Sequence, residues 1–232
     1  MRDLNQLILE FKFDRNFKDQ DFYVSGSNES AYKIINSWPN WERKFLNICG
    51  EKFSGKSHLV NIFEKKYGGM KIDSKDLKDN FVEKIKSQQN IVIENLDQNI
   101  NEDLLYSIYN LVDLNDKFLL TTSILPINKI GLKLQDLKSR CDNFLIYEIL
   151  NPDDNLIYAL IIKNLSDRQI LIDKKLVEYI IKRINRSYGK ISEFIYKIDQ
   201  LSLKEKKPID FKIIKKALEI NWINIEHINV MS

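Results

Sequence analysis

Residues 50–57 read Gly50-Glu51-Lys52-Phe53-Ser54-Gly55-Lys56-Ser57, a match to G-x-x-x-x-G-K-[ST] at every fixed position. This octet constrains the chain more than any other feature, because it works only between a strand and a helix. Phe45-Leu46-Asn47-Ile48-Cys49, just before it, is a short apolar run of the kind that forms a buried strand, and Leu59, Ile62 and Phe63 after it have helical spacing. Gly50 and Gly55 let the backbone bend where a Cβ would interfere, so that N–H groups point inward at a phosphate chain. The following helix adds its N-terminal N–H groups and the positive end of its dipole. In such a loop Lys56 reaches the β- and γ-phosphates and the Ser57 hydroxyl ligates Mg2+. These residues predict an ADP or ATP site built from 50–57 with the adjoining His58; His58 itself is not expected to ligate metal.

The rest of the chain supplies the setting that the octet demands. Apolar runs at 45–49, 70–72, 90–94, 117–122 and 144–149 read as strands, and helical spacing intervenes at 28–37, 57–67, 76–86 and 103–114. Short apolar strands separated by helices predict an α/β fold with a five-stranded parallel sheet covered on both faces. After Asn151-Pro152 the pattern changes to four helices, at 153–164, 174–183, 190–203 and 210–220, with no strand among them. The expected organisation is an N-terminal arm (1–19), an α/β nucleotide-binding domain (20–150) and a small all-α lid domain (151–232).

Composition narrows the partners. The 232 residues are 44% hydrophobic and 30% charged, enough apolar content for a core and against disorder over most of the chain. Thirty-six Lys and Arg against 33 Asp and Glu leave +3, too little for the basic surface that strong direct DNA binding requires. Cys49 and Cys141 make neither a disulfide framework nor a zinc site by themselves. No apolar run approaches the ~20 residues of a membrane span, and the N-terminus lacks the pattern of a signal peptide. A cytoplasmic protein is expected, without membrane partners.

A phosphate loop of this kind needs a second strand ending in an acid. Ile91-Val92-Ile93-Glu94-Asn95 ends with Glu94 at the strand's C-terminal tip, where open α/β sheets bind ligands. Glu94 takes the Mg2+ position and Asn95 the water-activating one. Asparagine cannot accept a proton, so intrinsic hydrolysis is expected to be weak or absent; the alternative is that Glu94 is only an exposed strand end. Thr121, with Thr122 and Ser123, follows the apolar Phe118-Leu119-Leu120 and offers a hydroxyl to the γ-phosphate or the attacking water, although hydroxyl residues also begin turns. Arg140 precedes the last strand: either a solvated charge, or an arginine finger stabilising transition-state charge on a neighbouring chain's nucleotide. Trp38 and Trp41 are read as packing under the loop at 22–31.

Together these residues resemble an AAA+ ATPase of the DnaA branch, over roughly residues 20–220. Phe22-Tyr23-Val24-Ser25-Gly26-Ser27-Asn28-Glu29-Ser30-Ala31 resembles the branch's N-terminal motif, which packs against adenine; this implies Phe22, Val24 and Asn28 as nucleotide contacts. Asp136-Leu137-Lys138-Ser139-Arg140 resembles its arginine-finger box, and residues 121–123 stand at its sensor I. Arg186-Ser187 and Lys190 resemble sensor II, the basic residue being Lys190 or else Arg186.

DnaA carries a helix-turn-helix DNA-binding domain after its lid, and this sequence ends about ten residues past its last predicted helix. The expectation is a DnaA relative without that domain, similar to the Hda-type regulators. That likeness implies a nucleotide-binding regulator of chromosomal replication initiation, which promotes hydrolysis of ATP bound to a DnaA-type initiator in complex with the DNA sliding clamp (beta subunit). Gln6-Leu7-Ile8-Leu9-Glu10-Phe11 resembles the clamp-binding peptide of such proteins, Gln-Leu-x-Leu-x-Leu/Phe. In an extended strand Leu7, Leu9 and Phe11 project to one side to fill pockets, with Gln6 bonding beside them. An ordinary amphipathic strand lying on its own domain has the same pattern. A homo-oligomer is a possible further partner. The alternatives are an autonomous AAA+ ATPase and a DnaA-like helicase-loading factor.

Overall fold

The computed structural model describes residues 22–223. Five strands, β1 (Phe45–Gly50), β2 (Met70–Asp73), β3 (Asn90–Leu96), β4 (Phe118–Ser123) and β5 (Leu145–Ile149), form one sheet in the order β2-β3-β4-β1-β5. Every pairing is parallel, with Phe45 opposite Leu119 and Leu46 opposite Leu145. Helices α1 (Glu29–Asn36), α2 (Lys56–Tyr67), α3 (Asp79–Ile85), α4 (Glu102–Leu114) and α5 (Gln135–Cys141) cover it. Four more follow: α6 (Asp154–Ser166), α7 (Lys174–Ile181), α8 (Tyr188–Glu205) and α9 (Phe211–Ile223). The α/β architecture and the helical C-terminal part agree with the sequence. Among the described residues no helix is long and apolar enough to cross a membrane.

The side-chain alternation of each strand builds the two faces. Phe45, Ile91, Ile93 and Leu119 pack with Phe81, Leu105, Ile108 and Leu137, beneath α3, α4 and α5. Leu46, Ile48, Val92 and Leu120 pack with Ala31, Ile35, Leu59 and Phe63 on the face of α1 and α2. Burial on both faces explains why β1 is buried along its whole length and reads as an unbroken apolar run. The helical part has a core of its own around Ile161, Ile180, Phe194 and Ile214. Leu156 and Tyr188 belong instead to the α1–α2 face of the sheet and join the two.

Three details differ from expectation. The helix predicted over 76–86 begins at Asp79, because a 3-10 turn at Ser74–Asp76 precedes it, with Asp73 accepting from the Lys75 N–H. Helix α5 was not anticipated, since only Leu137 and Cys141 of its seven residues are buried. Trp38 and Trp41 do not pack under the loop at 22–28. They lie against Phe63 and Phe118 (Trp41–Phe63 5.5 Å, Trp38–Phe118 5.7 Å), and Phe118 begins the central strand β4, at the end of the strands opposite Ser123.

Asn47, the polar residue within the β1 run, is fully buried and ties β1 to the tip of β4. Its amide donates to Thr121 Oγ1 and Ser123 Oγ, both at 3.0 Å, and its Oδ1 accepts the Ile127 N–H at 3.0 Å. Asn47→Ala strands those groups in the core and is expected to cost about 2–4 kcal/mol. A lower urea midpoint with an unchanged slope is the measurement that checks this.

Candidate functional site

The chain turns at the C-terminal end of β1 into residues 50–57, and the backbone there needs its glycines. Gly50 has φ +152°, and a Cβ on it would meet the Ile149 carbonyl at 2.9 Å. Gly55, with φ +96°, is the N-cap of α2, and a Cβ there would come 3.2 Å from the Phe22 ring. Both are conformations that L side chains rarely adopt. The topology converges on this point: α2 leads from β1 toward the β2 edge, whereas the connection after β4 crosses to β5 on the other side. Crevices at such reversals, outside the strands' C-terminal ends, are where open α/β sheets hold ligands.

Here a cleft of about 1100 Å³ opens between the sheet and the helical part. Lys52, Phe53, Ser54, Gly55, Lys56 and Ser57 form its floor, with Asn95 near the end of β3, Asp97 just beyond it and Ser123 at the tip of β4. Phe22, Tyr23, Val24 and Asn28 line one wall, and Leu156, Ala159, Leu160, Tyr188, Ile191 and Ile195 the other. The cleft thus pairs a polar floor at a helix N-terminus with apolar walls wide enough for a planar base.

Lys56 is buried, and its Nζ donates to the carbonyls of Gly50 (2.7 Å) and Glu51 (2.8 Å). Burial pushes its pKa below the ordinary lysine value, while the charges of Cys49, Glu51 and Glu94 oppose the fall. Ser57 is exposed at the start of α2, its hydroxyl facing the cleft. Two buried oxygens beside the loop, Ser54 Oγ and Glu94 Oε1, take no hydrogen bond from the described residues. An orphaned carboxylate oxygen near a strand tip suits a hard cation such as Mg2+, and the Lys56 ammonium, within reach of its charge, suits phosphate oxygens.

Asn95 interrupts β3. Its φ is +59° and the register shifts between Ile93 and Leu96. Its N–H donates to Thr122 Oγ1 at 3.0 Å and its carbonyl accepts from Ser74 Oγ at 2.8 Å. The side-chain amide donates to Asp73 Oδ2 at 2.6 Å. Held this way, Asn95 lines the cleft with an amide, which cannot itself accept a proton.

The motif at 22–31 comes together beside the loop. Phe22 stacks on Tyr32 (5.6 Å) and meets His58 edge-on (5.2 Å), so His58 is a buried wall of the site. Asn28 precedes α1 without capping it; its amide donates to the Tyr23 carbonyl at 3.0 Å and its Oδ1 accepts the Ser25 N–H at 2.9 Å, which fixes the loop carrying Tyr23 and Val24.

Two expected residues stand elsewhere. Thr121 does not line the cleft: two residues short of the tip of β4, it is fully buried against β1, where its hydroxyl donates to the Leu46 carbonyl at 3.3 Å. Ser123 reaches the cleft in its stead. Lys190 is exposed and pairs with Glu193 at 3.1 Å, lining a smaller neighbouring pocket of about 550 Å³. Arg186 pairs with Asp154 at 2.7 Å. Because α8 starts at Tyr188, its cleft face runs through residues 188, 191, 192 and 195, the i, i+3, i+4, i+7 stripe, and Lys190 falls outside it. The basic residue that the helical part brings to the cleft is Lys163 of α6, which sequence reasoning missed.

Arg140 lies outside the cleft on α5, half-buried, its guanidinium 5.4 Å from the ring centre of Tyr109 on α4. The segment leading into α5 is fixed by Glu102, whose carboxylate accepts the N–H groups of Lys133 (2.8 Å) and Leu134 (2.6 Å). Gln6, Leu7, Leu9 and Phe11 lie outside the described residues.

Comparison with known proteins agrees with this architecture. No family model matches the chain. It is 22% identical over 253 residues to the chromosomal replication initiator protein DnaA of Buchnera aphidicola, covering 97% of this chain and 58% of the relative. It is 24% identical to DnaA of Helicobacter hepaticus, over 75% of this chain and 43% of the relative. The chain thus spans about half the length of these curated relatives. An uncharacterized protein of Haemophilus influenzae is 22% identical over 77% of this chain and 83% of its own length. Among solved structures, domain III of DnaA from Thermotoga maritima superposes with a TM-score of 0.72 at 17% identity, over 89% of this chain and 97% of that one. AMPPCP-bound DnaA from Aquifex aeolicus gives 0.63 at 19% identity, over 83% of this chain and 69% of that one. The RuvB branch migration motor of Thermotoga maritima gives 0.59 at 17% identity, covering 76% and 61%. The fold is that of a DnaA-like AAA+ domain.

Proposed function

We infer that this DnaA-like AAA+ chain is a nucleotide-binding regulator of replication initiation, which promotes hydrolysis of ATP held by a DnaA-type initiator while docked on the DNA sliding clamp. Adenine nucleotide fills the cleft: phosphates on the loop at 50–57, base between the wall at 22–28 and helices α6 and α8. The DnaA structure with AMPPCP bound supports a nucleotide in this fold. Lys56 steadies the phosphates, and Ser57 with Glu94 holds Mg2+, which when bound draws off phosphate charge.

The observation that carries the regulatory reading is the division between Arg140 and the chain's own cleft. Arg140 stands clear of that cleft, braced on Tyr109, so a second chain's nucleotide is the one within its reach. The chain's own water-activating position meanwhile holds Asn95, bonded to Asp73, an amide that cannot itself accept a proton. Such a molecule keeps its nucleotide and supplies a transition-state cation to its partner.

Clamp docking rests on the Gln6–Phe11 pattern and has a direct test. Immobilised sliding clamp is expected to retain the full chain, and Gln6→Ala with Leu9→Ala is expected to abolish retention while leaving nucleotide binding unchanged. An intact chain that never binds the clamp sinks this part of the reading. The rival, an autonomous ATPase, draws support from the orphaned Glu94 Oε1, and steady turnover by the purified chain is what would establish it.

A further inference from the structure

One carboxylate of the phosphate loop is not aimed at the cleft. Glu51, the second residue of the octet, reaches across to the N-terminus of α8, 136 residues away in sequence. Its Oε2 accepts the Tyr188 N–H at 3.0 Å, and its Oε1 accepts the Gly189 N–H at 3.3 Å and the Ser187 hydroxyl. The first N–H groups of any helix lack partners within the helix, and they favour a negative charge. Ser187 caps Lys190 from within α8, so Glu51 satisfies what the local cap leaves open. A Cβ on Gly189 would sit 3.2 Å from Oε1, which makes glycine the residue that admits the carboxylate so closely.

We propose that Glu51 is a positioning residue that latches α8 over the cleft and thereby slows release of bound nucleotide. The inference rests on the nucleotide reading above. Tyr188, Ile191, Ser192 and Ile195 form the α8 wall of the cleft, and the turn that carries Tyr188 is the turn held by Glu51. Leu156 and Tyr188 also attach the helical part to the sheet, Tyr188 through a hydroxyl that donates to the Leu150 carbonyl at 3.1 Å. Removal of the latch therefore loosens one turn rather than detaching the helices. The Glu51 carbonyl also receives Lys56 Nζ, so the residue that holds α8 adjoins the lysine that grips phosphate.

The test uses the full chain with Glu51→Ala and Glu51→Gln. Amide exchange of the ligand-free proteins is expected to rise about tenfold or more at Tyr188 and Gly189, with β1 and β4 unchanged as the control for folding. Release of a fluorescent ATP analogue, followed by stopped-flow displacement, is expected to quicken about tenfold, with association within about twofold of the unaltered chain. That split separates a latch from damage to the phosphate loop, which slows association as well. Unchanged exchange at Tyr188 and Gly189 overturns the proposal, as does faster exchange with unchanged release. If the unaltered chain binds no adenine nucleotide, the nucleotide reading fails and retention falls with it, while the exchange arm separately reads whether Glu51 holds α8.

Discussion

An Arg140→Ala chain is expected to bind adenine nucleotide as the unaltered chain does, yet to lose its stimulation of a DnaA-type initiator's ATPase by about three orders of magnitude. That is the lower end of what an arginine finger contributes when its guanidinium meets the charge spread over a transferring phosphoryl group. The loss falls on function alone because of how Arg140 is held. It lies on α5, outside the cleft, with an aromatic face under it and no ion pair among the described residues. A half-exposed cation over an aromatic ring contributes about 0.5–1 kcal/mol, so the fold survives its removal. Arg140→Lys should restore little, since a lysine supplies the charge without the planar fork. Initiator ATPase measured with and without the regulator, clamp and DNA present, is the readout. Stimulation surviving in the alanine variant would show that the finger lies elsewhere.

The parts of this molecule that were legible in the sequence are those whose cause is local. The octet at 50–57 specifies its own strand, turn and helix, because Gly50 and Gly55 adopt backbone angles that other residues resist. The apolar runs of β1 and β3 read correctly since burial on both faces removes the alternation that would mark a half-exposed strand. Depth along the strand was the first thing lost. Thr121 and Ser123 share one face of β4 and both meet Asn47, and only Ser123, at the strand's tip, also lines the cleft. A start point was the second. A helix begun at 190 gives Lys190 a plausible aim, whereas the observed start at Tyr188 rotates the cleft face to Ile191 and Ile195. The sequence places Glu51 with the nucleotide site at 50–57, since nothing within the octet hints at a helix terminus far along the chain. Its role is a matter of tertiary placement.

Lys56→Ala is expected to weaken adenine-nucleotide binding by at least about 100-fold, the largest equilibrium effect of any single change in the chain. The ammonium donates to the Gly50 and Glu51 carbonyls and is within reach of the charge of Glu94, at the point where the loop meets α2. Heat denaturation gives a direct measure. At a nucleotide concentration 100 times Kd, binding stabilises the unaltered chain by about 2.7 kcal/mol, a midpoint rise of roughly 5–10 °C for a chain of this size. At the same concentration the nucleotide stands at or below the alanine variant's Kd, so the gain is about 0.4 kcal/mol at most and the midpoint moves by roughly 1 °C. Without nucleotide the order is expected to be level or reversed. The folded pKa of Lys56 is depressed by burial, so at any pH below that folded value the fold carries the cost of a buried charge, and the cost is relieved as pH rises through it. Alanine removes the cost at every pH, so the ligand-free variant should melt no lower than the unaltered chain. A variant that melts early without ligand would mean that the lysine holds the loop together. One that keeps the full nucleotide shift would mean that the cleft grips its ligand by other residues. The same pair of proteins decides the rival reading: any ATP turnover by the unaltered chain that belongs to this site must vanish with Lys56.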